Sequence, residues 1–381
     1  MTENTQFNSS NYDQLLEQLK HAEQESPVCV SNEYFEMLPT IYKTHEKEIK
    51  TWKTVSTAYS YIYFMTYLYR WCKYSHYAPS VKDVKRILGS ASNKTVDIFI
   101  KKNGLFDQYH LTETIGLFEL PVAFETDEDT DLPLFTNVLE LHADLKEHVH
   151  MYYREPMGLT NRYTSKKPVL AFHSNTLEED NQGTFYKGTN FTNIPFEVFA
   201  FCMNHACLGD KAFYVYSFLK SQYDYFEDKN EEYRVGHRTV ASKLNIPRSS
   251  VYGIMRSLHD YGLIRMERNQ DYFVLGDDIA DRIAPTITIV SEIQEFGKET
   301  KKEYDLMPTK SKEDYILEKK LEAIGELNEY SQLVVEVKGV KNTALDEIQQ
   351  MKMNEVAETL VKSATDPRKK RAEINLGELP F

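Results

Sequence analysis

Apolar residues recur at helical spacing along much of the chain, and the clearest run lies between Val240 and Ile264. Val240 and Leu244 stand four apart, Asn245-Ile246-Pro247 leaves room only for a tight turn, and Val251, Met255 and Leu258 follow at i, i+4 and i+7. Both apolar faces point to one small core. Pro247 suits the start of the second helix, where its missing N–H would have no intrahelical partner. Gly262 reads as a left-handed cap, and Leu263-Ile264 leads into two predicted strands, 264–268 and 271–275, around Asn269-Gln270. The pattern is helix, turn, helix and a two-stranded wing.

Residues 78–106 repeat the plan: Val84 and Leu88, a Gly-Ser-Ala-Ser turn, Val96 and Ile100, then Gly104-Leu105. The flanks repeat as well. TAYSYIYFM (57–65) parallels KAFYVYSFL (211–219), and NEYFEM (32–37) echoes NIPFEV (193–198). A period this long implies a duplicated domain rather than a solenoid. Val96 to Gly104 spans eight positions and Val251 to Gly262 eleven, so the upstream second helix is predicted to be about one turn shorter. Further on, 311–330 and 343–362 carry amphipathic helical periodicity that a hairpin or short coiled coil would bury. The expected fold is mainly α with small β wings (α+β). Its expected layout is an N-terminal segment (1–27), a first winged unit (28–125), a connector with a helix (126–190), a second winged unit (191–280), a helical region (281–362) and a tail (363–381).

Composition adjusts this picture. A formal net charge of −13 argues against indiscriminate coating of nucleic acid. Yet Arg234 to Arg268 holds seven Arg or Lys against two acids, a local basic face in an acidic chain. The longest apolar run, 59–71, is too short and too broken to span a membrane, and the start of the chain lacks signal-peptide features, so a cytoplasmic protein is expected. Cys29, Cys72, Cys202 and Cys207 form no CxxC pair and imply no disulfide framework. His142, His148 and His150 lack further ligands at suitable spacing, and Cys202 to Cys207 around His205 reads as a buried helix, so no metal and no cofactor is expected. No P-loop, GxSxG or paired HxH appears, so no enzyme is expected. The aromatic helix with Tyr61, Tyr63, Tyr67, Tyr69 and Trp71 offers a stacking platform for single strands, but packing is the favoured reading.

TVASKLNIPRSSVYGIMRSLHDYGLI (239–264) resembles the winged helix-turn-helix family of DNA-binding proteins. The resemblance implies that the second helix enters the major groove and that the wing touches backbone or minor groove. Ser249, Tyr252 and Arg256 share a face at i, i+3 and i+7, with Arg248 beside them, and these are the candidate base contacts. Arg238, Thr239, Lys243, Arg265 and Arg268 are the candidate phosphate contacts. Upstream, Lys82, Lys85, Arg86, Asn93, Lys94 and Lys101 form a candidate second face, but no arginine stands there for bidentate guanine reading. Nonspecific DNA contact or dimerisation, and a purely structural role, stay open for that unit. The ending Leu379-Pro380-Phe381 resembles the partner-binding tip of single-stranded-DNA-binding proteins, although its flank is poor in acid and a chance ending is the alternative.

Tandem winged units followed by helices resemble plasmid and phage replication initiators, implying binding to origin repeats, a homodimer and a replisome partner for the tip. A transcriptional regulator on a palindromic operator is the alternative. A third is a primosome-type scaffold that uses its winged domains for protein contacts.

Overall fold

The computed structural model describes residues 16–22, 25, 27–91, 94–126, 133–141, 153–154, 157–160, 162–171, 190–267, 273–275, 287–291, 296–297, 309–317 and 320. The chain divides into two compact units, 1–272 with 281–308, and 273–280 with 309–381.

In the first unit a strand followed by helices that include one of 19 residues occurs twice, with six helices before the next strand in the first pass and four in the second. The first pass runs β1 (Val28–Ser31), α1 (Tyr34–Thr44), α2 (Glu46–Ile49), α3 (Trp52–Arg70), α4 (Val81–Ile87), α5 (Asp97–Ile100), α6 (Leu105–Gln108) and β2 (Thr112–Gly116). The hairpin β3 (Pro121–Thr126) and β4 (Pro133–Asn137) follows, then α7 (Val138–Leu141) and β5 (Thr164–Pro168), which pairs antiparallel with β2. The second pass runs β6 (Phe191–Ile194), α8 (Phe196–Asn204), α9 (Gly209–Glu227), α10 (His237–Leu244), α11 (Arg248–Asp260), β7 (Ile264–Glu267) and β9 (Ile287–Val290). The remaining strands, β8 (Phe273–Leu275) and β10 (Thr309–Ser311), pair in parallel within the second unit.

The two passes share one core. β1 and β6 pair antiparallel, Val28 opposite Ile194 and Ser31 opposite Phe191. The 19-residue helices α3 and α9 pack together, with the Tyr59 and Tyr214 rings 5.1 Å apart and Tyr63 edge-on to Phe213 at 4.7 Å. Every residue of α3 except Lys53 is buried, as expected of a helix enclosed on all sides. Its polar groups therefore need internal partners. Thr66 donates back to the Ile62 carbonyl (2.8 Å), Tyr63 donates to the Ile194 carbonyl (2.9 Å), and Thr57 donates to the buried Asp210 on α9. Tyr61, Tyr63, Tyr67 and Tyr69 are at most 3% exposed, which removes them as a stacking platform.

Two expectations need correction. The upstream segment does not repeat the plan at Gly104, which lacks the left-handed conformation of Gly262 and lies beyond the end of α5. α5 is a single turn, Lys101 turns extended, and Gly104, at φ −73°, starts α6. A Cβ at Gly104 would sit 2.6 Å from the Phe99 carbonyl oxygen, so its glycine serves a close backbone approach. The sharp turn lets Phe99 and Phe106 bury against each other at 5.3 Å.

The downstream wing is also paired differently. β7 pairs antiparallel with β9, Ile264 opposite Val290 and Glu267 opposite Ile287, and not with Phe273–Leu275. Asn269-Gln270 lacks the glycine that tight hairpin turns favour, whereas the β-branched run Ile287-Thr288-Ile289-Val290 suits a strand.

Of the predicted amphipathic helices, 312–317 is helical, and residues 321–381 lie outside the described residues, with Leu379, Pro380 and Phe381 among them. His142, His148 and His150 also fall outside them.

Candidate nucleic-acid interface

α10 buries Val240, Ala241 and Leu244 and turns Arg238, Thr239, Ser242 and Lys243 outward. Asn245 closes it in the left-handed region (φ 54°, ψ 45°), a conformation Asn tolerates better than most residues. Ile246 drops into the core, and Pro247 offers its carbonyl to the N–H groups of Ser250 (2.9 Å) and Val251 (3.1 Å). α11 then buries Val251, Met255 and Leu258, each at most 1% exposed. Burying three such side chains contributes roughly 1.5–3 kcal/mol each and fixes which face looks outward.

That outward face carries Arg248, Ser249, Tyr252 and Arg256, all exposed as expected. Gly253 lies among them, with nothing within 4 Å of a Cβ placed on it. Arg256 approaches Asp260 at 3.7 Å, but both are about half exposed, so water screens the pair and Arg256 stays available.

Gly262 adopts φ +74° and its N–H bonds the His259 carbonyl (2.9 Å), while the Leu263 N–H reaches the Leu258 carbonyl (2.9 Å). His259 Nδ1 bonds the Ile264 carbonyl (3.2 Å), tying helix end to wing. On β7, Ile264 points inward and Arg265 outward. Arg268 and Asn93 lie outside the described residues.

Neither α10 nor α11 has a side-chain N-cap, and neither has an acid in its first turn. Two helix starts thus present positive dipole ends beside Arg238, Thr239, Arg248 and Ser249. The starts are neighbours: the His237 ring meets the Tyr252 ring edge-on at 5.2 Å. Burial first, and then the Arg248 charge, push the His237 imidazole below its ordinary pKa. The sequence reading passed over His237, because a single imidazole before a helix carries no pattern.

The upstream face is built otherwise. Lys85, a candidate contact, is buried and ion-paired with Asp97, because α5 presents its acid in the first turn. Arg86 is exposed but donates to Asp83 (2.9 Å). Ser80 and Asp83 close a capping box on α4, with the Ser80 N–H on Asp83 Oδ2 at 3.1 Å and the Asp83 N–H on Ser80 Oγ at 3.2 Å. Lys82, Lys94 and Lys101 are exposed.

Residues 231–275 match the family model described as the sugar-specific transcriptional regulator TrmB. This segment of the chain is thereby similar to a winged-helix DNA-binding regulator family. No curated protein and no solved structure matches the chain. Among the described residues no helix is long and apolar enough to cross a membrane.

Proposed function

We propose that the chain is a sequence-specific duplex-DNA-binding protein of the transcription-regulator kind, acting by binding rather than by catalysis. α11 lies in the major groove with Arg248, Ser249, Tyr252 and Arg256 at base edges. Arg238, Thr239, Lys243 and Arg265 hold phosphates and set the register. The observation that carries this reading is the pair of uncapped, acid-free helix starts opening beside four exposed polar side chains, in the segment similar to a regulator family. A phosphate is the natural partner of such a start. Two copies of the chain on a palindrome complete the regulator reading.

A second reading, a replication initiator on repeated origin sites, is favoured by one observation, the recurrence of a strand and a 19-residue helix within a shared core. Footprinting of the full chain on DNA from its own genetic neighbourhood separates the two. Protection of one palindrome over a promoter supports the regulator, and protection of direct repeats beside an AT-rich stretch supports the initiator. Affinity for all duplexes alike, or for none, overturns both.

A further inference from the structure

His237 is neither a base contact nor a phosphate contact of the proposed interface. It opens α10 behind Gly236, and its Nε2 is buried with no hydrogen-bond partner among the described residues. A buried ring nitrogen left unpaired is unfavourable, and a hydrocarbon ring would fill the same space without that penalty.

The surroundings of the ring are specific. Arg248 and Tyr252 face it from α11, and Arg238 follows it on α10. α1 also packs on α10 and carries Glu36, Tyr42 and Lys43, but among the described residues the charge that bears on the imidazole is that of Arg248. The Tyr252 ring that meets it is 43% exposed, at the centre of the face that would read bases.

We propose that His237 couples duplex binding to the uptake of one proton, its Nε2 becoming a donor to a backbone phosphate when Tyr252 turns from it toward a base edge. The proposal rests on the reading that α10 and α11 bind duplex DNA. In the free protein, burial and Arg248 disfavour the imidazolium. A phosphate at the two helix starts cancels the Arg248 field and adds an acceptor, so the imidazolium is favoured in the complex. The proton comes from solvent, one N–H bond forms at the ring, and nothing is oxidised or reduced. His237 is a positioning residue that adds a pH-dependent phosphate contact.

The sign follows from linkage. The group titrates at lower pH in the free protein than in the complex, so affinity rises as pH falls between the two values. The rise approaches about tenfold per pH unit there and levels off outside that window.

The test measures Kd of the full chain for its preferred duplex from about pH 5.5 to 8.5 at fixed ionic strength, the range in which histidine titrates. Calorimetry in two buffers of different ionisation enthalpy counts the protons. His237→Phe keeps a ring against Tyr252 without titrating, and His237→Gln keeps a polar group without titrating. The expected result is that wild type gains affinity on acidification with net proton uptake. Both variants should match it at the alkaline end and lose that gain. If wild type and variants show parallel pH profiles, or proton uptake is unchanged in the variants, the proposal is overturned while duplex binding stands. If wild type binds no duplex at any pH, the reading of the helix pair fails and takes the proposal with it.

Discussion

Segments 78–106 and 237–264 begin from similar apolar spacing and end with opposite surface chemistry. Upstream, α4 closes its own start with the Ser80–Asp83 box, Asp83 also occupies Arg86, and Asp97 at the start of α5 occupies Lys85. Downstream, α10 and α11 start without cap or acid, and the exposed arginines at 238, 248 and 265 stand beside them or on the adjoining wing. The upstream segment pairs Lys85 and Arg86 with its own acids, whereas Arg248 and Arg256 stay exposed downstream. Basic residues alone therefore do not mark an interface.

The largest expected effect sets backbone approach against open surface. Gly104→Ala forces a Cβ against three backbone carbonyls at 2.6–2.8 Å and should destabilise the chain by about 3 kcal/mol in urea unfolding. DNA affinity per folded molecule should not change. A melting point within a degree of wild type would show that the close approach at Gly104 yields to a Cβ.

Next comes the reading face. Arg256→Ala should cost about 1–3 kcal/mol on the preferred duplex and relax preference at one base position, while Arg86→Ala should change binding by less than about 0.5 kcal/mol. Equal losses in a mobility-shift titration would mean that both segments touch DNA.

Lys85→Met follows, at about 1 kcal/mol of stability, since Asp97 is 43% exposed and water recovers part of the broken pair. The salt dependence of DNA binding should be unchanged. A slope reduced by about one unit would instead make Lys85 a phosphate contact.

The smallest effect is a gain. Gly253→Ala meets nothing within 4 Å and lies inside α11, so it should raise stability by about 0.5–1 kcal/mol in thermal denaturation. Any loss of DNA affinity in that variant would then report closeness to the groove rather than unfolding.

The downstream helix pair was legible from local pattern, because the spacing of Val240, Leu244, Val251, Met255 and Leu258 fixes both helices and the face each buries. Gly262 was legible for the same reason, as its left-handed conformation answers a local need. The strand that completes the wing was not. β9 starts twenty positions beyond the end of β7, and pairing across such a gap is decided by burial, here of Thr288 at 0% exposure, rather than by any turn. The role assigned to Lys85 failed because exposure was read from residue type, and the acid that claims it lies on the next helix.

By itself, then, the sequence determined the pair of helices on either side of Asn245-Ile246-Pro247 and the outward placement of Arg248, Ser249, Tyr252 and Arg256. Each depends on residues within a few positions of one another, where helical periodicity acts directly. The tertiary structure alone decided that the two passes share one core through β1–β6 and α3–α9, and so why a helix rich in tyrosines, serines and threonines is buried at every residue but Lys53. It alone decided which helix starts are filled by their own carboxylates, and that Tyr252 shields His237. These outcomes join side chains far apart in the chain, where charge, burial and hydrogen bonding compete only after the backbone has brought them together.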